Sequence, residues 1–338
     1  MACSSPNSIE LDARYKGITF LGPSQFAREL IDRRLAAGVD GYVTQIFDVP
    51  CNDCLDCRIA RRYERATRIM LEASCFEKNC FVTLTYSDQH LGYNDLAENH
   101  FTQFQKDIRR VYGQAEYCPI NRKNWKKKTR SYTHKNFKFI QTGEYGEGLG
   151  RKHYHGIIFN HTFSDMYFTG FYSDKGNPIY SSFELEKLWG RGNVQVEALT
   201  FDLALYVGKY ITDGWDDDEN VLNLDTGLIR KKQYSRSSHG IGLTWLKKYW
   251  KGLLGKGLVS LFDRNCPIPR YFKKKLAELF PIEYARYKTK KYLEINKKML
   301  FIKNNKGDGM LASSIRAGEI TKIIHKRNSN GSHPKGYA

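Results

Sequence analysis

The 338-residue sequence predicts an α+β fold, on three observations. Apolar residues recur at three- and four-residue steps in several segments, the period of helices with one face turned inward. Between those segments lie short β-branched and aromatic runs bounded by Gly, Asn, Asp or Ser, the pattern of strands. Two of these runs are joined by a glycine-rich turn, which makes them neighbours in an antiparallel hairpin. Hydrophobic residues make up 41% of the chain and aromatic residues 14%, enough for a packed core.

The elements follow in chain order. Residues 1 to 50 hold mixed short elements, with a helix expected at Ser24 to Ala37. Next comes PCNDCLDC, in which Cys51, Cys54 and Cys57 stand at C-x2-C spacing, the step that lets two thiolates on a tight turn reach one tetrahedral ion. A structural zinc site needs four ligands, so Cys75, Cys80 or a histidine would complete this set. The alternative is a group of ordinary reduced thiols. A helix over Leu55 to Glu77 follows, with Ile59, Tyr63, Ala66, Met70 and Ala73 as its inner stripe. Arg58, Arg61, Arg62, Arg65 and Arg68 lie elsewhere on its circumference, where they either track phosphates or form a solvated face.

FVTLTY (Phe81 to Tyr86) reads as a buried strand ended by a Ser-Asp turn. A helix is expected from Ala97 to Tyr112, with Phe101, Phe104, Ile108 and Val111 inward and Lys106, Arg109 and Arg110 outward. The loop NRKNWKKKTRSYTHKNFK interleaves Arg122, Lys123, Lys126, Lys127, Lys128 and Arg130 with aromatic residues. That composition suits phosphate neutralisation with base stacking, and it also suits a solvated hairpin tip. FKFIQTGEYG and HYHGIIF form the hairpin, joined by GEGLGRK. An aromatic-rich insertion runs from Asn160 to Tyr180. Helical stretches are expected at Phe183 to Trp189 and Thr200 to Asp213. Beyond them lie the acidic WDDDEN linker, a basic C-terminal region and the tail SNGSHPKGYA, read as disordered.

Charge narrows the function. Lys and Arg total 54 against 36 Asp and Glu, a formal charge of +18, so a polyanion is the expected partner. There is no run of 18 apolar residues and the first residues hold no apolar signal segment, which favours nucleic acid over membrane and a reducing cytosol over secretion. No Walker A sequence occurs, so the chain offers no nucleotide-driven motor.

His153 and His155 stand two apart on a strand, so both imidazoles leave the same face. Glu144 on the partner strand is positioned as a third ligand. Two histidines and a carboxylate leave open positions for a substrate oxygen, as Lewis-acid work on a phosphodiester requires. In YVGKY, Tyr206 and Tyr210 share a helix face and Lys209 lies close to both. A phenol with a pKa of about 10 needs such help, from a metal and a cation, to attack phosphorus at neutral pH. Each motif also has an ordinary reading: H-x-H pairs on strands are often structural, and Leu199, Leu203, Tyr206 and Tyr210 trace a core stripe.

Taken together and in this order, the strand, the Glu-turn-His-x-His hairpin and the Tyr-x-x-Lys-Tyr helix resemble the HUH endonuclease superfamily of rolling-circle replication initiators. More narrowly, PCNDCLDC, EKNCFVTLTY, GEYGEGLGRKHYHGIIF and YVGKYI look like the initiators of single-stranded DNA phages of the Microviridae, gokushovirus type. Family sequences often carry proline before the first histidine; Lys152 stands there, with the ligands retained. The resemblance covers about Cys51 to Thr212, with a weaker echo at SHGIG.

What it implies is an HUH fold: a central antiparallel sheet flanked by helices, the histidine strand central and the tyrosine helix nearby. It implies Mg2+ or Mn2+ at Glu144, His153 and His155. It further implies attack by Tyr206 on an origin phosphate of single-stranded DNA, a 5′-phosphotyrosine link, and a free 3′-OH for a host polymerase with a host helicase. Tyr210 would make the second cut, and Lys209 would stabilise developing charge. The setting implied is the host cytoplasm. On this reading residues 1–75 are an extension with the Cys cluster and basic helix, 76–213 the nicking and joining domain, and 214–338 a basic C-terminal region. The competing readings are a nucleotide phosphohydrolase and a non-catalytic nucleic-acid-binding protein with a Cys-metal module.

Overall fold

The computed structural model describes residues 3–12, 17–24, 29, 33, 44–113, 137–146, 148–212, 222–223, 226–262 and 264–306. Outside them lie most of the helix expected at Ser24 to Ala37, the basic loop with Arg122, Lys123, Lys126, Lys127, Lys128 and Arg130, the WDDDEN linker and the tail. The chain forms two compact units, Met1–Arg61 with Phe280–Ala338, and Arg62–Leu279.

In the first unit, β1 (Asn7–Asp12), β2 (Gly17–Pro23) and β3 (Thr44–Val49) make a three-stranded antiparallel sheet in the order β2-β1-β3. At the outer end of that sheet Ser8 and Ser24 hydroxyls both donate to Asp48 Oδ1, at 2.8 and 2.7 Å. The basic helix expected after the cysteines is α1 (Leu55–Ala73).

The second unit is built on a seven-stranded antiparallel sheet. Its strands are β4 (Asn79–Thr85), β5 (Lys138–Tyr145), β6 (Lys152–Phe159), β7 (Tyr167–Tyr172), β8 (Pro178–Ser181), β9 (Val194–Ala198) and β10 (Tyr234–Ser237), in the order β10-β5-β6-β4-β9-β8-β7. The expected FVTLTY strand is β4, the expected hairpin is β5–β6, and the aromatic insertion is the β7–β8 hairpin. The histidine strand β6 is interior, as the resemblance implied. The edge strand β10 comes from beyond Asp213.

Side chains alternate faces along each strand, so β6 feeds two cores. On one face Tyr154 and Ile158 join Phe101, Phe104 and Ile108 of α3 (Glu98–Tyr112), with Leu185 and Trp189 of α4 (Phe183–Trp189). A short α2 (Asp88–Leu91) precedes α3. On the other face Ile157 and Phe159 join Ala66, Ile69, Met70 and Ala73 of α1, with Ala204 and Val207 of α5 (Phe201–Thr212). Helices cover both faces, which is why β5 is buried at every position after its first and why the strands read as apolar runs. Gly156 is required by the first core: a Cβ there would lie 2.7 Å from the Phe101 ring. Ser182 caps α4 by accepting from Leu185 N–H, and Gly190 closes it in the left-handed conformation at φ 61°.

One expected core position is corrected. Val111 is 46% exposed, whereas Tyr112 packs against the core and its ring lies 4.3 Å from that of His161. The inner stripe of α3 therefore runs 101-104-108-112, because the helix axis carries position 111 past the sheet edge.

Residues 240–279 also pack within the second unit, as α6 (Leu243–Lys256), β11 (Leu258–Leu261), β12 (Arg264–Pro267) and α7 (Arg270–Leu279). The fully buried Glu72 fixes the start of α6. Its carboxylate accepts from Gly242 N–H at 2.7 Å, Thr244 Oγ1 at 2.9 Å and Lys138 Nζ at 2.5 Å. A carboxylate at a helix N-terminus is favourably placed against the dipole. Two of the five arginines of α1 are used here. Arg68 donates through Nε and Nη2 to Ile241 O and lies 3.9 Å above the Tyr271 ring, while Arg65 donates to Ser237 Oγ at 2.6 Å. Burial pushes the Arg65 guanidinium down to about 10. α8 (Pro281–Lys306) belongs to the first unit and opens on a proline, which suits a first helical position.

Candidate metal centre and nucleophile

Strand register assembles the site. Pairing of β5 with β6 sets Glu144 opposite His153 and Thr142 opposite His155. Pairing of β4 with β6 sets Thr83 opposite His155 and Thr85 opposite His153. Glu144, His153 and His155 thus share the face that carries α5. Each imidazole Nε2 stands 3.9 Å from Glu144 Oε2, and the three donor atoms lie within 4.8 Å of one another.

The remaining polar atoms of these residues are turned away from that point. Arg151 O lies 3.2 Å from His153 Nδ1, and a carbonyl only accepts, so Nδ1 carries the proton and Nε2 keeps its lone pair. Thr83 Oγ1 holds His155 Nδ1 at 3.0 Å. Thr142 Oγ1 donates to Glu144 Oε1 at 2.7 Å, leaving Oε2 toward the imidazoles. Burial, with His153 beside it, pushes the His155 pKa down to about 3, so its ring is a neutral donor at physiological pH. Outer partners that fix tautomer and orientation in this way are the usual surroundings of metal-binding histidines. The residues present fit a divalent cation with open positions.

Tyr206 meets the same carboxylate. Its Oη donates to Glu144 Oε2 at 2.7 Å, its ring stands edge-on to His155 with centroids 5.2 Å apart, and the residue is 36% exposed. The buried stripe of α5 is Ala204 and Val207, so Tyr206 is at the rim of the helix face and not a core residue. Gly208 sets the depth of α5: a Cβ there would come within 3.3 Å of Arg62 O in α1. Lys209 is exposed on the same helix. Tyr210 is in α5 too, and its side chain lies outside those described. By contrast Tyr154, between the two histidines, faces the opposite core, where its Oη donates to Ala97 O at 2.8 Å and accepts from Ala97 N–H at 3.0 Å.

Sequence reasoning missed Thr83, Thr142 and Gly208. The two threonines are findable from strand alternation once the register is known; Gly208 needs the helix–helix approach. The cysteine expectation is also corrected. Cys51, Cys54 and Cys57 do lie together, but the sulfur beside them is that of Cys3. Cys75 Sγ donates to Leu71 O at the end of α1, and Cys80 is buried in the core on β4. The neighbouring N–H groups of Cys54 and Asp53 lower the Cys51 thiol.

A sheet face bearing two histidines and a carboxylate, with a partly exposed tyrosine hydroxyl against it, defines a candidate metal-and-tyrosine site. Residues 79–214, which span it, match a family of replication-associated proteins, that of ORF2. The chain is 28% identical over 279 residues to the replication-associated protein VP4 of Bdellovibrio phage phiMH2K, covering 81% of this chain and 79% of the relative. It is 30% identical over 276 residues to the replication-associated protein ORF4 of Chlamydia phage 1, covering 78% and 63%. With the replication-associated protein ORF2 of Spiroplasma virus 4 it is 29% identical over 265 residues, covering 75% of each. The chain is a homologue of these phage replication-associated proteins, as its motifs indicated. No solved structure matches. Among the described residues no helix is long and apolar enough to cross a membrane.

Proposed function

We propose that this chain initiates replication of a circular phage DNA by nicking a single strand at the origin through Tyr206. The observation that carries this is the 2.7 Å contact of Tyr206 Oη with the Glu144 oxygen that both imidazoles approach at 3.9 Å. Nucleophile and ligand set converge on one point at the protein surface. Glu144, His153 and His155 would hold Mg2+ or Mn2+, which supplies charge withdrawal from a phosphate oxygen when bound.

The chain's own residues do the rest. Glu144 Oε2 accepts the hydrogen bond of the phenol and orients it toward the place where a phosphodiester would lie. Tyr206 Oη forms the bond to phosphorus while the bond from phosphorus to the 3′ oxygen breaks. The phenol proton is lost, the departing 3′ oxygen gains one, and the products are a 5′-phosphotyrosine and a free 3′-OH. Storing the phosphodiester on Tyr206 allows later rejoining without a nucleotide cofactor. Lys209, one turn from Tyr206, supplies positive charge near the leaving group, and Tyr210 serves the second cut. Host polymerase and helicase in the host cytoplasm would use the 3′-OH. The +18 charge supports the strand-binding part of this reading.

A single-stranded oligonucleotide containing the phage origin and labelled on the 3′ side of the cut, incubated with Mn2+, tests it. The wild-type protein becomes labelled, and mass spectrometry of the adduct maps to Tyr206 or Tyr210. The Tyr206→Phe, Tyr210→Phe double variant gives no adduct. Free cleavage product without adduct would instead establish a hydrolase, and intact DNA after long incubation a non-catalytic binder.

A further inference from the structure

The second cluster of donor atoms is not used by the chemistry above. Cys3, Cys51, Cys54 and Cys57 bring four sulfurs within 4.8 Å of one another. Cys3 Sγ lies 3.4 Å from Cys51 Sγ and 3.6 Å from Cys54 Sγ, and Cys51 Sγ lies 4.0 Å from Cys57 Sγ. A disulfide needs about 2.05 Å between sulfurs, so these are separate thiols. Four thiolates around one ion at a metal–sulfur distance of about 2.3 Å stand about 3.8 Å apart, in the middle of the distances found.

Backbone geometry agrees independently. Cys54 N–H and Asp53 N–H donate to Cys51 Sγ at 3.3 and 3.4 Å, and Cys51 N–H donates to Cys3 Sγ at 3.3 Å. Amides aimed at sulfur favour the thiolate form. The turn that aims them depends on Asn52, which takes the left-handed conformation at φ 68°, a region Asn tolerates better than most residues. Arg58, the residue after Cys57, is paired with Asp53 at 3.0 Å and closes the same turn.

We infer that Cys3, Cys51, Cys54 and Cys57 form a closed tetrathiolate site for one structural Zn2+, with Cys3 as the ligand that completes the C-x2-C-x2-C run. All four coordination positions are sulfur, so the site has no opening for substrate and its role is to hold the fold. What it joins follows from the sheet. Cys3 lies just ahead of β1, Cys51 and Cys54 just after β3, and Cys57 in the first turn of α1. Asn7 of β1 is paired with Val49 of β3, so the ion fastens one end of this strand pair to the start of the helix. A small sheet gains folding free energy from such a clip, which the unfolded chain cannot preform.

The test uses full-length protein with His153→Ala and His155→Ala, which removes the other ligand set from the measurement. Elemental analysis after purification without chelator is expected to give one zinc per chain. Cobalt substitution is expected to give the visible absorption of a tetrahedral four-sulfur site. Cys3→Ser should weaken zinc binding beyond the roughly 10–100-fold that loss of an outer partner costs, and should change the cobalt spectrum to one with fewer sulfur ligands. Thiol alkylation of the protein without Cys3→Ser gives a readout independent of that variant's folding: Cys3, Cys51, Cys54 and Cys57 are protected with zinc and modified after chelation. An unchanged cobalt spectrum in Cys3→Ser, iron in place of zinc, or four freely alkylated thiols in metal-replete protein would each overturn the assignment.

Discussion

The two donor clusters show how differently a metal site can be written into a chain. Glu144, His153 and His155 lie on adjacent strands of one hairpin, and their meeting is dictated by register: Glu144 is opposite His153, and His155 is on the same face two residues on. The cysteine cluster takes three members from one short run and its fourth, Cys3, from 48 residues earlier. One site mixes nitrogen and oxygen donors and is open toward a partly exposed tyrosine; the other is all sulfur and closed. Openness goes with chemistry and closure with architecture. Alterations in the first should remove activity and spare the fold, and alterations in the second should do the reverse.

The largest expected effect breaks the comparison if it fails. His153→Ala with His155→Ala should lower adduct formation by more than the roughly 10²–10³-fold that loss of one electrostatic stabiliser costs. Thermal melting should change little, because the imidazoles line the surface of the sheet and the Ile157 and Phe159 core beneath them is untouched. Adduct assays and melting curves on the same samples check both halves. An adduct at wild-type rate, or collapse of the fold, would show that these histidines are not an open catalytic set.

A smaller effect sharpens it. Thr83→Val keeps the volume of the side chain and removes the hydroxyl that holds His155 Nδ1 at 3.0 Å. Mn2+ affinity at the histidine site should fall by about 10–100-fold while zinc content is unchanged. Calorimetric titration with Mn2+ reads the first and elemental analysis the second. Equal Mn2+ affinity in the variant would mean that the strand alone orients the ring.

These two sites also mark what the sequence could reveal. Strand alternation and a glycine-rich turn were enough to bring Glu144, His153 and His155 together, because hairpin partners are neighbours in the chain. Helical spacing put Tyr206 on a defined face, but only the packed structure shows it reaching Glu144, since that depends on Gly208 letting α5 approach the Arg62 backbone. Cys3 was invisible to spacing arguments, because the β1–β3 pairing that brings it near Cys51 is non-local. Arg65 and Arg68 were open to two surface readings, and neither foresaw their bonds to Ser237 and Ile241. Val111 went wrong for a simpler reason: periodicity gives a helix face, not where the sheet beneath it ends.

The smallest effect separates the two regions by the sign of their pH dependence. Glu197 on β9 is opposite Phe81, 7% exposed, and its Oε2 is buried with no hydrogen-bond partner. Burial raises its pKa above the usual carboxylate value. The folded state therefore holds this proton more tightly than the unfolded chain does. Its contribution to stability is present at acid pH and is lost as pH rises through the folded pKa. A thiolate zinc site behaves oppositely, because protons compete with the metal as pH falls. Glu197→Gln should stabilise the sheet unit at neutral pH by up to about 1 kcal/mol, with a smaller or no gain near pH 4. Denaturant unfolding followed at both pH values measures it. A gain equal at both would place its origin in packing, and a loss at neutral pH would mean that the Glu197 charge is compensated in the folded chain.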